Sequence, residues 1–98
     1  MRYAASSSGE KSATAQITAI GAYLCGFELN PPDTGLATLK IYDSANAGTS
    51  LLLATATVAA GLNSVYVEFP FPRTGNTGIY AVLTGAATTY SVGFSLGA

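Results

Sequence analysis

Apolar and polar residues alternate with a period of two along most of the second half of the chain. Ala37, Leu39 and Ile41 fall on one side of an extended backbone, and Thr38, Lys40 and Tyr42 on the other. Leu52, Ala54, Ala56 and Val58 oppose Leu53, Thr55 and Thr57, and Val65, Val67 and Phe69 oppose Ser64, Tyr66 and Glu68. Tyr90, Val92, Phe94 and Leu96 oppose Thr89, Ser91, Gly93 and Ser95. Successive side chains of a β-strand point to opposite faces, so this is the pattern of half-buried antiparallel strands. No window carries a helical repeat. The stretch 51–60 is rich in Ala and Leu, which favour helix, but its Thr-Ala-Thr-Val tail and flanking glycines assign it to a strand.

Strands are predicted at 13–20, 22–29, 37–42, 51–58, 64–69, 78–84 and 89–96. Between them lie Asn30-Pro31-Pro32-Asp33-Thr34-Gly35, residues 43–50, Ala60-Gly61-Leu62-Asn63, residues 70–77 and Gly85-Ala86-Ala87. These clusters are turn chemistry: a fixed φ at Pro, a permitted positive φ at Gly, local side-chain hydrogen bonds at Asn and Asp. Short strands separated by such signals every 8–12 residues or so predict a sandwich or barrel. The expected fold is all-β, a single antiparallel β-sandwich, jelly-roll-like, with about seven to eight strands. It occupies residues 13–98, behind an extended N-terminal arm of residues 1–12 that is small, polar and rich in Ser.

Two segments leave alternatives open. Along Ile17–Leu29 both faces of a regular strand are apolar: Ile17, Ala19, Tyr23, Cys25, Phe27 and Leu29 on one, Ile20, Ala22 and Leu24 on the other. Either a second layer from the arm or another subunit covers the outer face, or this is a central strand covered by a loop. The arm either docks on a neighbouring subunit, with Tyr3 as anchor and Arg2 paired to an acidic surface, or adds a strand to its own sheet.

Composition narrows the function. The chain has 98 residues, of which 9% are charged, and a net charge of -1, where an average soluble domain carries about 25% charged residues. A chain of this size buries ~60–65% of its extended surface, enough for one core. A single cysteine excludes a disulfide scaffold. The basic residues Arg2, Lys11, Lys40 and Arg73 are scattered, which argues against nucleic acid. No stretch approaches the ~18–20 apolar residues of a membrane span, and the first residues have no apolar run of the signal-peptide kind. The expectation is a protein made in a cytoplasm and kept or assembled there, with Cys25 as a buried core thiol in a reducing compartment.

Candidate chemistry is sparse. There is no histidine, the usual general acid–base group near neutral pH. The five carboxylates Glu10, Glu28, Asp33, Asp43 and Glu68 show no local pairing. Zinc needs Cys/His sets at short spacing. Asn30 with Asp33, or Asp43 with Asn46, is a thin start for calcium that turn formation explains as well. Gly75-Asn76-Thr77-Gly78 lacks the lysine and the helix of a phosphate loop. No enzyme activity, cofactor or metal is expected. Sugar binding stays open through Tyr42 and Tyr66, which the alternation turns outward on what are expected to be neighbouring strands, although tryptophan is absent. Phe71, between Pro70 and Pro72, either presents its ring outward as an anchor, beside Arg73, or folds over the sandwich end as a plug.

Ala22-Tyr23-Leu24-Cys25-Gly26-Phe27-Glu28-Leu29 is followed by a turn with Pro32, Asp33 and Gly35, then by Ala37-Thr38-Leu39-Lys40-Ile41-Tyr42-Asp43. A small polar loop with Gly48-Thr49 comes next, then a Leu/Ala strand, Gly78-Ile79-Tyr80-Ala81-Val82-Leu83-Thr84-Gly85 and a terminal Thr89-Tyr90-Ser91-Val92. This order, over residues 17–96, resembles small tailed-bacteriophage virion proteins of the capsid decoration (cement) or accessory head kind. The resemblance implies a β-sandwich that binds and reinforces the outer face of an assembled shell in the virion. Its partners would be the major capsid protein and copies of itself, as a homo-oligomer (trimer or dimer), without nucleic acid or membrane. The protein–protein interface residues expected on this reading are Arg2, Tyr3, Tyr42, Tyr66, Phe71 and Arg73. The alternative is an adhesin or carbohydrate-binding module of a tail fibre or spike.

Overall fold

The computed structural model describes residues 6–96. They form β1 (Ser6–Ser7), β2 (Ala15–Thr18), β3 (Ala22–Leu29), β4 (Leu36–Tyr42), β5 (Leu52–Ala59), β6 (Val65–Gly75), β7 (Ile79–Gly85) and β8 (Tyr90–Leu96). Two four-stranded sheets result, in the orders β1-β8-β3-β6 and β2-β7-β4-β5, and every pairing is antiparallel. The pairs β4–β5, β3–β6, β2–β7 and β1–β8 are nested, so the chain is one long hairpin rolled into two layers. That is a jelly-roll β-sandwich, the expected fold class.

The inner faces meet in one core. Leu24, Phe27 and Leu29 of β3, Leu39 and Ile41 of β4, Val58 of β5, Ile79 of β7 and Tyr90 and Val92 of β8 are buried there. Each fully buried Leu, Ile or Val contributes roughly 1.5–3 kcal/mol. Tyr90 carries a hydroxyl into the core and donates it to the carbonyl of Ala13 at 2.7 Å. Burial pushes its phenol up to about 12.

The apparent two-faced apolar strand resolves into a bulge. Leu24 pairs with Phe94 and Gly26 with Gly93, so Cys25 is an extra residue in β3. A one-residue insertion exchanges the two faces of the strand beyond it. Ala22 and Leu24 before the bulge, and Phe27 and Leu29 after it, therefore point into the same core, and no second layer is required. Gly26 follows the bulge because a Cβ there would fall on the carbonyl oxygen of Val67. Cys25 is itself buried.

Three other boundaries depart from expectation. The strand expected at 13–20 is only Ala15–Thr18. An additional two-residue strand, Ser6–Ser7, pairs with Phe94 and Gly93 of β8. Residues 70–77 are not a turn throughout, since β6 continues to Gly75. Of the two courses open to the arm, its described part takes the second: Ser8 and Lys11 also bond to β8, at Val92 and Tyr90. Arg2 and Tyr3 lie outside the described residues. No helix among the described residues is long and apolar enough to cross a membrane.

Candidate interaction surface

On one side of the sandwich the edge strands β5 and β6 face each other across the layer gap. Leu24 of β3 pairs with Arg73 of β6, whereas Gly26 pairs with Glu68. The four residues Phe69-Pro70-Phe71-Pro72 therefore stand opposite Cys25 alone. Proline has no N–H to give to a ladder, so this stretch bows out from the sheet edge before pairing resumes at Arg73.

The two rings of the bow do different things. Phe69 turns inward against Phe27, with ring centroids 6.2 Å apart. The Arg73 guanidinium lies 4.6 Å from the centre of the Phe69 ring and donates to the carbonyl of Leu53 on β5. Arg73 thereby links the edges of the two sheets. Phe71 is left 86% exposed. Of the two roles open to Phe71, the structure shows the outward ring, and Phe69 is the residue that closes the sandwich side. Beside it runs a groove of about 400 Å³ lined by Phe27, Leu52, Leu53, Val67, Phe69 and Arg73.

The tyrosines separate. Tyr66, 68% exposed, stands on the outer face of the β6 sheet opposite Glu28. Its hydroxyl donates to Oε2 of Glu68 at 3.3 Å. The charge of Glu68, then that hydrogen bond, hold its phenol above the ordinary value. Tyr42 belongs to the other sheet, so the two are not on neighbouring strands as expected. Its cross-strand neighbours are Tyr80 on β7 and Leu52 on β5. Tyr80 escaped the sequence reading because alternation assigns a face within one strand but not the register between strands. The groove thus joins Arg73 on β6 to Leu52 on β5, whose cross-strand neighbour is Tyr42. Phe71 stands two residues before Arg73 on the same strand, and Tyr66 lies on the outer face of the β6 sheet.

At one end of the molecule, polar side chains are occupied in tying loops together. Asp43 accepts from the backbone N–H groups of Asn76 and Thr77, each at 2.9 Å, and from the Thr77 hydroxyl at 3.0 Å. Partial burial raises its pKa, but the hydrogen bonds from Thr77 and Asn76 outweigh this and leave it below the ordinary value. Gln16 holds Nε2 against the carbonyls of Ser44 at 2.6 Å and Thr18 at 2.7 Å, while its Oε1 accepts from the Ala47 N–H at 3.0 Å. Ser44 Oγ accepts from the N–H groups of Asn46 and Gly48. Asp43 is thus engaged by residues 76–77 of another loop and Asn46 by Ser44 of its own. Among the described residues no cluster of three or more Asp, Glu, Cys or His side chains is arranged to hold a metal ion.

Compared with protein-family models, with curated proteins and with solved structures, the chain matches none in any of the three comparisons.

Proposed function

We propose that this chain is a non-enzymatic structural protein of a phage-like virion, binding and stabilising the assembled capsid shell. Its partners on this reading are the major capsid protein and further copies of itself in a homo-oligomer. One observation carries it: Phe71, 86% exposed, is presented on a proline-braced bow of an edge strand whose base is fixed by Arg73. Binding energy concentrates in aromatic and Arg anchors, and the flanking prolines leave the backbone that carries this ring little freedom to lose on binding. Low charge density also favours association over free solubility, and the resemblance over residues 17–96 points the same way.

The test is stoichiometry in purified particles, together with the temperature at which they release their genome. Many copies per shell, and earlier release from particles lacking the protein, support the reading. Absence from the shell, a few copies at the tail alone, or an unchanged release temperature would remove it.

A second reading, an adhesin or carbohydrate-binding module of a tail fibre or spike, is favoured by the Tyr42–Tyr80 pair beside Leu52. Aromatic faces of this kind can stack on sugars as well as on protein. Glycan-array binding that disappears in Tyr42→Ala supports it. An array without signal, and host adsorption unchanged in Tyr42→Ala and Tyr66→Ala, would dispose of it.

A further inference from the structure

We infer that the outer edge of β5 pairs with the β5 edge of a second copy of this chain, antiparallel about a twofold axis at Ala56. The inference stands on the strand edge and does not depend on shell binding. Four strands end the two sheets: β1, β6, β2 and β5. A free edge is a template for another strand, and proteins blunt it by shortness, bulges, proline or charge. β1 has two residues and β2 four, with a break in register. β6 carries Pro70, Pro72 and the four-residue bow. β5 has eight residues, Leu52–Ala59; its one break in register lies at Leu53, near its start, and the run Ala54–Ala59 carries no bulge, proline or charge. From Ser44 to Val67 the chain contains no charged residue at all.

The groups that such a pairing needs are in place. Ala60 donates its N–H to the carbonyl of Gly35 across the β4–β5 register. Hydrogen-bonded pairs alternate along an antiparallel ladder, so on the regular part of β5 the residues Ala54, Ala56 and Val58 bond to β4. The N–H and C=O groups of Thr55, Thr57 and Ala59 consequently point away from it. Leu53 is the exception on this edge, because Arg73 already takes its carbonyl.

A second copy is the occupant that the sequence of the strand itself fits. Ala54-Thr55-Ala56-Thr57-Val58 is nearly symmetric about Ala56. Reversed against itself, it sets Thr55 opposite Thr57 twice on the outer face. On the inner face it sets Ala54 opposite Val58, and Ala56 opposite itself. Such a self-complementary patch is what a twofold interface requires, and Thr–Thr pairs stabilise antiparallel neighbours. One Thr pair of this kind already exists within the chain, Thr38 with Thr57 at 3.0 Å. Exposed leucines also cluster at both ends of the strand: Leu51 and Leu52 at its start, Leu36 and Leu62 at its finish. Antiparallel pairing brings the start of one copy beside the finish of the other, so each leucine pair faces apolar surface.

Sedimentation velocity of the full chain tests the pairing, with Thr57→Pro as the variant. The Thr57 N–H points off the sheet, so proline there removes no backbone bond within the chain and only the exposed hydroxyl contact with Thr38, and circular dichroism checks that it still folds. The wild type is expected to be a dimer, with Thr57→Pro dissociating at a roughly tenfold or greater higher concentration. Oxidising a mixture of Thr55→Cys and Thr57→Cys chains reads the register, since directly opposed strand positions lie within disulfide reach. Only the mixture is expected to cross-link. A wild type that stays monomeric to roughly 100 µM, an assembly unaffected by Thr57→Pro, or cross-linking within either single variant would overturn the inference.

Discussion

Arg73 donates to the carbonyl of Leu53, so a side chain at the edge of one sheet satisfies a backbone group at the edge of the other. The same guanidinium lies over Phe69 at 4.6 Å. One residue therefore anchors the foot of the proline bow and closes the side of the sandwich. Arg73→Met keeps much of the stem packing and loses both polar interactions. Its expected cost is about 1–2 kcal/mol, from a cation–π contact of about 0.5–1 and a hydrogen bond of similar size. Urea unfolding measures it, and an unchanged midpoint would mean that the link contributes nothing.

Gly26 sits where the backbone of β3 passes closest to β6, with the Val67 carbonyl in the place a Cβ would take. Gly26→Ala must push the edge strand away, an overpacking cost of about 1–3 kcal/mol. Gly61→Ala provides a contrast, since its positive φ is strained in alanine but nothing lies within 4 Å of the added carbon. The urea midpoint of Gly26→Ala should be accompanied by faster exchange of the β3–β6 amide protons, and that of Gly61→Ala should not.

Acid stability should depend on Asp43. Its pKa in the folded chain lies below the ordinary 3.8, so the charged form is favoured by folding. The stability it contributes is present above the unfolded value and is lost as pH falls through the folded one. Thermal melts from pH 5 down to pH 2 should therefore fall less steeply in Asp43→Asn than in the wild type. Equal slopes would show that Asp43 is not the group responsible.

Tyr90 governs the alkaline side with the opposite sign. Burial raises its phenol to about 12 from the ordinary 10.0. Its contribution is complete below the unfolded value and declines as pH rises from there through the folded value. Tyr90→Phe should remove this loss of stability between pH 10 and pH 12. It should also lower stability at neutral pH by about 1 kcal/mol, because the Ala13 carbonyl loses its donor.

The sandwich was legible because alternation survives wherever one face is buried, as in Ala37-Thr38-Leu39-Lys40-Ile41-Tyr42. It was not legible at Cys25, where one inserted residue exchanges the faces, and Gly26 beside it marks the spot without declaring the flip. The bow was read as a turn because two prolines exclude ladder bonds, yet a strand edge tolerates them where the partner strand bulges. Alternation turns Phe69 inward with Val65 and Val67, but Phe71 has the same parity and proline neighbours alike, so its protruding ring emerges only with the bow. Strand order and register decided the tyrosines: Tyr42 meets Tyr80 only once the β4–β7 pairing within one sheet is known.

On the proposed function, the exposed Phe71 ring is the anchor that binds the shell. Phe71→Ala should leave the unfolding free energy from urea titration within about 0.5 kcal/mol of the wild type, since the ring is 86% exposed. The direct measurement is saturation binding of wild-type and Phe71→Ala chains to particles assembled without the protein, counted as copies per shell. Many copies of the wild type per shell are expected, with affinity at least about tenfold weaker for the variant. Equal binding by both chains, or no saturable binding by the wild type, would contradict it.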